Sequence, residues 1–175
     1  EERCFGTDGK LVKNQGNWSY SIRRSKYNSI GQGLERSYYN EKGAPHLYKT
    51  NTQDPGAFRA RVTFNELGLI ERTDYYLPED TVNPDYSILS KFNAMRQPVE
   101  MIVVDSQGKP REYNSGESKM LISYDVHNME KSRKLFKPDG SLLMWTINEY
   151  DDLSRLIASH HLSADSALTV SQIAG

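Results

Sequence analysis

Seven times along this sequence, an aromatic residue stands directly before asparagine or aspartate, although a composition with 10% aromatic residues predicts about two such pairs. The pairs begin at Tyr27, Tyr39, Phe64, Phe92, Tyr113, Tyr124 and Tyr150. In three of them a glycine follows three residues after the asparagine, which gives Asn28 to Gly31, Asn40 to Gly43 and Asn65 to Gly68. A pattern that recurs this often within 175 residues predicts a fold assembled from one repeated local unit.

The repeated spacing is typical of a tight turn between two antiparallel strands. Asparagine or aspartate at the first turn position accepts a hydrogen bond from the backbone two residues later. Glycine at the fourth position supplies the positive φ that closes a hairpin with one bulge. After Asn93 and Asp125 the fourth position holds Arg96 and Asn128 instead. The aromatic residue ends the incoming strand, where a large side chain packs across neighbouring strands.

Between the turns, the segments are short and alternate between polar and apolar residues, as strands with one buried face do. Residues 59–64 show this alternation, and residues 101–104, 120–124 and 142–147 are apolar enough for central strands. From Asn28 onward the turn signals lie 12 to 28 residues apart, which is too short for a helical crossover at every step. We therefore predict an all-β fold, a mostly antiparallel meander of roughly ten strands that forms a curved sheet or a small sandwich.

The C-terminal part of the chain leaves two interpretations open. A short helix over residues 151–162 is favoured by aspartates at its N-terminal end and by one helical face that carries Leu153, Leu156, Ile157 and His160. The same residues also continue the pattern of a strand after a turn. We take residues 1–162 as a single β-repeat domain and residues 163–175, which are mostly small and polar, as a tail or weak helix.

Composition excludes several classes of function. Twenty-two basic residues against 23 acidic ones give a net charge of −1, so the chain has no overall attraction for nucleic acid or anionic lipid. The single cysteine, Cys4, excludes an internal disulfide framework and a zinc site built from cysteines. Apolar runs fall short of the roughly 18 residues that a membrane-spanning helix needs. We therefore expect no nucleic-acid partner, no membrane span and no metal or other cofactor.

The sequence lacks the familiar motifs of catalysis. It contains neither the Gly-x-Ser-x-Gly element of serine hydrolases nor a glycine-rich phosphate loop. His46 and His127 fall within turn signals, and the adjacent His160 and His161 would point about 100° apart on a helix. We therefore expect a protein that is not an enzyme. The less favoured alternative is a hydrolase whose catalytic carboxylates come from the loop residues Asp74, Glu79, Asp80 and Asp85. If the protein is not a hydrolase, these carboxylates are solvated side chains of a loop.

A tyrosine-bearing loop is the strongest candidate for binding. Tyr75, Tyr76 and Tyr86 flank residues 78–84, the longest stretch without strand alternation. A proline-bounded loop that carries tyrosines on a rigid sheet makes a suitable recognition surface. The alternative is a loop packed down by its own tyrosines. Trp18 joins the candidate binding residues as an aromatic side chain in an alternating segment.

One stretch of the sequence resembles a known repeat. Residues 150–156 read Tyr-Asp-Asp-Leu-Ser-Arg-Leu and follow a Pro-Asp-Gly turn at residues 138–140 and an alternating strand. This order is similar to that of the tyrosine–aspartate (YD) or Rhs-type repeat, with Ser154 where the repeat has glycine. Tyr124 and Asp125 begin a second match, and degenerate matches begin at Tyr39, Phe64 and Phe92.

The resemblance implies β-hairpin repeats of a bacterial envelope, secreted or toxin-associated protein. In large members of the family the repeats coil into a shell that encloses a toxin domain, whereas the five or six units of this chain are too few to close one. The tyrosines and glycines of the repeat are structural, so the resemblance implies no chemistry of its own.

The residues and the resemblance together predict a non-enzymatic protein-binding protein of the bacterial envelope or secreted space, located in the periplasm or outside the cell. Its partner would be a protein, with a toxin as one concrete case, and its role immunity-like or that of a scaffold. Binding would use a sheet face and the loop within residues 73–87. The alternative is a carbohydrate-binding β-module in which a glycan stacks on exposed Trp18, Tyr75, Tyr76 or Tyr86.

Overall fold

The computed structural model describes residues 1–13, 20–49, 56–80, 82–163 and 166–172, and within these residues all regular structure is β-strand. The strands are β1 (Glu2–Arg3), β2 (Ile22–Tyr27), β3 (Gly33–Tyr39), β4 (Arg59–Phe64), β5 (Ile70–Tyr76), β6 (Tyr86–Phe92), β7 (Pro98–Asp105), β8 (Lys119–Tyr124), β9 (Glu130–Phe136), β10 (Leu142–Tyr150), β11 (Leu156–Ser163) and β12 (Ser166–Gln172). A helix able to span a membrane is absent from this described part of the chain.

The strands follow one another in chain order across a single open sheet, from β1 to β12. Neighbouring strands run antiparallel, as in the pairing of β4 with β5 and of β8 with β9. Each connection therefore returns the chain beside the strand it has just left. This order confirms the predicted all-β antiparallel meander.

Of the two interpretations of residues 151–162, the helix is wrong and the strand after a turn is confirmed. Asp151 begins a turn, and β11 then pairs with β10 in a register that sets His160 opposite Ile147 and His161 opposite Thr146. The apolar residues of this segment fit a helical period of 3.6 as well as the alternation of a strand. Backbone hydrogen bonds to β10 on one side and β12 on the other decide between the two. β12 itself lies within residues 163–175.

The chain divides into two compact units. The first unit contains residues 1–89 and 104–109, and the second contains residues 90–103 and 110–175. The core of the first unit is aromatic, since Tyr20 and Tyr38 are buried and the ring of Tyr38 stacks on that of Tyr48 with centroids 3.9 Å apart. The core of the second unit is aliphatic and includes the buried side chains of Val103 and Ile122.

The turns share one hydrogen-bond pattern, which the turn at Asn28 illustrates. Its side-chain Oδ1 accepts bonds from the backbone N–H groups of Ile30, at 3.1 Å, and Gln32, at 2.9 Å. Its carbonyl accepts a bond from the N–H of Gly31 at 3.1 Å. The same three bonds recur at six further turns, which begin at Asn40, Asn65, Asn93, Asp105, Asp125 and Asp151. The predicted turn is therefore confirmed at six of the seven aromatic pairs.

The seventh pair, Tyr113 with Asn114, is shifted by one position. There the N–H of Gly116 donates to the carbonyl of Tyr113, so the aromatic residue itself begins the turn. Asn114 consequently occupies the second turn position, with φ of 32°. The dipeptide alone does not fix the register of a turn, because the position of the following glycine contributes as well.

At two turns of the second unit, the tyrosine before the turn links its hairpin to an earlier one. The hydroxyl of Tyr124 donates to the carbonyl of Pro98 at 2.9 Å, and that of Tyr150 donates to the carbonyl of Glu130 at 3.0 Å. Pro98 lies five residues after Asn93, and Glu130 lies five residues after Asp125, so the two acceptors hold the same place after an earlier turn. A glutamine makes a second link of this kind in each unit, from Gln32 Nε2 to the carbonyl of Gly68 and from Gln97 Nε2 to that of Asn128.

Candidate interaction surfaces

The structure buries two of the three tyrosines that the sequence singled out. Tyr76 and Tyr86 are 4% and 1% exposed, in β5 and β6 respectively. The ring of half-buried Tyr75 stacks on that of Tyr86, with centroids 4.5 Å apart and planes 9° apart. The expectation that Tyr76 and Tyr86 present exposed rings is therefore wrong, because the neighbouring strands cover them. The alternative, a loop packed down by its own tyrosines, stays a prediction, because this ring contact joins Tyr75 to Tyr86 and not to the loop residues. Trp18 lies outside the described residues.

In the acidic loop between β5 and β6, an aspartate side chain is hydrogen-bonded to backbone groups of the same loop. The Asp80 carboxylate accepts bonds from the backbone N–H of Asn83 and Val82 and from the side-chain amide of Asn83. These bonds hold the pKa of Asp80 below its ordinary value, and the two from backbone N–H groups contribute most. A carboxylate kept ionised in this way is unsuited to act as a general acid. Within the described residues, acidic and histidine side chains form no cluster of three or more that suits a metal ion.

The histidines lie on strands and connections rather than together. His160 Nε2 is 2.9 Å from Glu149 Oε1, and His161 Nδ1 is 3.1 Å from Thr146 Oγ1. Adjacent residues of a strand point to opposite faces, so these two side chains do not converge. The Nε2 atom of His46 is buried without a hydrogen-bond partner.

An apolar groove lies on one face of the sheet in the first unit. Its volume is about 430 Å³. Six of the residues that line it are Tyr27, Leu34, Val62, Ile70, Thr73 and Tyr75. The register explains why they share a face, since Val62 stands opposite Thr73, and Tyr75 lies two residues beyond Thr73 on the same strand. Tyr27 and Ile70 are exposed at the surface, so this groove offers apolar side chains to solvent.

The opposite face of the first unit carries a ladder of charges, which we name the charged face. Lys26, Glu35, Arg61 and Asp74 stand in direct register across β2, β3, β4 and β5. Lys26 Nζ lies 2.9 Å from Glu35 Oε1, and Arg61 Nη2 lies 3.0 Å from Glu35 Oε2. Arg72, on the same face, donates from Nε to Asp74 Oδ1 at 2.7 Å. The charged face further includes Glu1, Arg3, Arg24 and Arg59.

Electrostatics and packing keep the charges of this face in place. Burial alone would raise the pKa of Glu35, but the hydrogen bonds from Lys26 and Arg61 outweigh it and hold that pKa below its ordinary value. Tyrosine rings also pack against guanidinium groups of this face. The Cζ atom of Arg59 lies 4.0 Å from the ring centroid of Tyr76. Such cation–π contacts orient an arginine without neutralising its charge.

The sequence predicted binding through a sheet face but identified neither the apolar groove nor the charged face. The charged residues of the ladder stand at alternate positions of their strands, as Arg59 and Arg61 do, which is a local signal of a shared face. The order of charges across strands depends on the register, however, and Glu35 and Arg61 are 26 residues apart. Only the pairing of β3 with β4 brings them together.

Comparison with known proteins identifies a fold but no family. Neither a protein-family model nor a curated protein matches this sequence. Among solved structures, a chain of the Photorhabdus luminescens Tc holotoxin pore, determined with a mutation in TccC3, aligns with 97% of this chain at 12% identity and a TM-score of 0.53. The fold resembles one short stretch of a Tc toxin chain. This chain spans only 9% of that chain's length.

Two crystal structures of related composition also align. One is the TcdB2-TccC3-Cdc42 complex, at 14% identity over 91% of this chain with a TM-score of 0.39. The other is TcdB2-TccC3 without its hypervariable C-terminal region, at 12% identity over 89% of this chain with a TM-score of 0.32. This chain spans 9% and 10% of those two chains.

Proposed function

We propose that this chain is a non-enzymatic scaffold of YD/Rhs-type hairpin repeats in a secreted or periplasmic, toxin-associated protein, and that it acts by binding another protein. The repeated turn carries this proposal, because the same three hydrogen bonds recur at the turns that begin at Asn65, Asp125 and Asp151, among others. The tyrosine bridges to an earlier hairpin give the aromatic residue of the repeat a structural role. Similarity in fold to part of a Tc toxin chain supports the toxin association by analogy.

Protein binding is assigned to the apolar groove rather than to the loop within residues 73–87. The groove exposes Ile70 and Tyr27, whereas the tyrosines beside the loop pack against each other. Apolar side chains that remain at the surface of a groove are characteristic of protein interaction sites. The loop carboxylate of Asp80 is satisfied by backbone N–H groups, which supports a non-catalytic role for the loop.

Site-specific photo-crosslinking tests this proposal. A benzophenone amino acid replaces Ile70 in the groove, and a matched control carries it in place of Leu67, an exposed residue of the neighbouring turn. Both proteins are irradiated in extract of the source organism and analysed by mass spectrometry. We expect one protein to be crosslinked to the variant with the probe at position 70, and the same protein not to be crosslinked to the variant with the probe at position 67.

Three results would contradict the proposal. Equal crosslinking at the two positions would show nonspecific contact. Quenching of tyrosine fluorescence by soluble oligosaccharides, without a protein crosslink, would favour the carbohydrate-binding alternative. Hydrolytic turnover that disappears in Asp80→Asn would establish an enzyme.

A further inference from the structure

The charged face of the first unit is cationic at its outer surface. It carries six basic residues and three acidic ones: Arg3, Arg24, Lys26, Arg59, Arg61 and Arg72 against Glu1, Glu35 and Asp74. The whole chain has a net charge of −1, so this excess is local. A local excess of one sign of charge attracts ligands of the opposite sign even when the net charge is small.

The charges are also separated by depth. The Glu35 and Asp74 side chains are 9% and 16% exposed, whereas those of Lys26, Arg61 and Arg72 are 70%, 50% and 46% exposed. The carboxylates therefore form the floor of the face, and the cations that bind them form its outer layer. A molecule that approaches this face meets ammonium and guanidinium groups first.

We propose that the charged face is a docking surface for an acidic polypeptide segment in extended conformation. It lies on the side of the sheet opposite the apolar groove, and the inference does not depend on a partner in that groove. The surface is assigned to a protein because of the spacing of its cations and the small excess of positive charge that it carries.

The spacing of the cations fits an extended peptide. Arg24 and Lys26 stand at alternate positions of β2, and Arg59 and Arg61 do so on β4. Alternate positions of a strand lie about 6.8 Å apart, which is also the spacing of alternate side chains in an extended peptide. An acidic residue at every second position of such a peptide would meet one cation after another along a strand.

The chemistry of the face favours carboxylates over nucleic acid. Arginine binds carboxylates through its N–H donors, and Arg61 does so on this face, where its Nε and Nη2 both donate to Glu35 Oε2. Binding to nucleic acid depends on many phosphate contacts, and this face offers a patch of three excess charges.

Fluorescence anisotropy with labelled peptides tests the inference on the purified chain. The probe is a twelve-residue peptide that alternates glutamate and threonine, and the comparison ligands are its lysine–threonine counterpart and a thymidine dodecamer. We expect saturable binding of the acidic peptide at low salt, weakened as salt increases. Absence of saturable binding, or tighter binding of the dodecamer, would overturn the proposal.

Three variants locate the binding. Arg24→Gln combined with Arg61→Gln should weaken binding of the acidic peptide about two- to thirtyfold, since the two exposed ion pairs that it removes contribute about 0.2–1 kcal/mol each. Glu35→Gln should tighten binding, because it removes a negative charge from the floor. The control, Lys42→Gln combined with Lys131→Gln, changes the net charge of the chain as the first variant does, at two exposed lysines outside the face, and should leave binding unchanged.

These variants keep the inference testable if one of them fails to fold. If the double arginine variant unfolds, as judged by circular dichroism, Glu35→Gln still decides through the expected gain of affinity. Equal weakening in the double lysine control would attribute binding to overall charge and overturn the assignment of the face.

Discussion

The aromatic-led turns of the first unit close with glycine, whereas those of the second unit close with larger residues, apart from the shifted turn at Tyr113, which closes with Gly116. Gly31 and Gly68 hold φ values of 83° and 72°. The equivalent residues of the second unit, Arg96, Asn128 and Ser154, hold 65°, 64° and 60°. A residue other than glycine in this left-handed region costs about 1–2 kcal/mol. Yet the hydrogen bonds of the turns are the same in both units.

Two turns of the second unit have features that offset this cost, whereas the turn that Arg96 closes begins at Asn93, after Phe92, and has neither. At Asp125 and Asp151 an aspartate replaces the asparagine of the first unit, and a charged carboxylate is the stronger acceptor for the two backbone N–H groups. Tyr124 and Tyr150 then tie their hairpins to earlier ones, at a place where the first unit has Phe64, which lacks a hydroxyl. Asparagine or aspartate at the first position therefore defines the turn, and glycine is one of several residues that can occupy its fourth position.

Removing the side chain that begins a turn should have the largest effect. Asp125→Ala deletes the acceptor for the N–H groups of His127 and Met129, at 2.8 and 2.9 Å. We expect a loss of about 2 kcal/mol in the free energy of unfolding, against about 1 kcal/mol for Asn65→Ala. The difference arises because Gly68 still favours the turn in the first unit, whereas Asn128 must hold its left-handed φ without help. Urea unfolding followed by circular dichroism measures both.

Asp152→Ala serves as the control for this comparison. Asp152 is exposed at the second position of the neighbouring turn, and its removal should change stability by less than about 0.5 kcal/mol. Equal losses in Asp125→Ala and Asn65→Ala would show that the residue at the fourth position does not matter, and the comparison between the units would fail.

The tyrosine bridges should contribute the next largest effect. Tyr150→Phe removes the hydrogen bond to the carbonyl of Glu130 and should lower the free energy of unfolding by about 1 kcal/mol. Tyr27→Phe in the first unit, where the ring is exposed, should change it little. If the two substitutions have the same effect on urea unfolding, the bridge does not stabilise the second unit.

The contribution of this bridge also depends on pH, with a definite sign. Burial raises the pKa of Tyr150 above its ordinary value of 10.0, so the folded chain keeps this proton at a pH where the unfolded chain has lost it. The added stability is fully present below pH 10 and is lost as pH rises through the folded pKa. The difference in unfolding free energy between wild type and Tyr150→Phe should therefore shrink above pH 10. A difference that grows with pH would contradict this assignment.

The turns were predictable from sequence because their hydrogen bonds are local. Asn28 binds backbone groups two and four residues away, so the residue types and their spacing contain the whole interaction. The antiparallel meander followed from the short distances between these turns. The segment after Asp151 misled the prediction because its apolar residues fit two periods, and only pairing with β10 and β12 decides between them.

The candidate surfaces were less predictable because they depend on contacts between distant residues. The burial of Tyr86 results from strands that pack around it, and no local pattern distinguishes it from an exposed tyrosine. The ladder through Glu35 and Arg61 needs the register of strands that are separated by a long connection. Register, more than residue type, therefore determines which side chains of a sheet form a surface.

A glycine placed in the second unit should remove part of the difference between the units. Ser154→Gly relieves the left-handed φ of 60°, and it should raise the free energy of unfolding by about 0.5 kcal/mol after the greater chain entropy of glycine is counted. The converse substitution, Gly31→Ala at φ of 83°, should lower it by about 1 kcal/mol. Urea unfolding compares them, and a destabilised Ser154→Gly would show that the serine side chain makes its own contribution to the turn.

The smallest expected effect comes from adding a bridge to the first unit. Gly33 lies five residues after Asn28, the place that Pro98 and Glu130 hold relative to their own turns. The hydroxyl introduced by Phe64→Tyr should therefore reach the carbonyl of Gly33 and stabilise the chain by about 0.5 kcal/mol. Phe5→Tyr, at an exposed position, is the control and should have no effect. A gain in Phe64→Tyr alone would show that the bridge is a transferable part of the repeat, whereas no gain would restrict it to the geometry of the second unit.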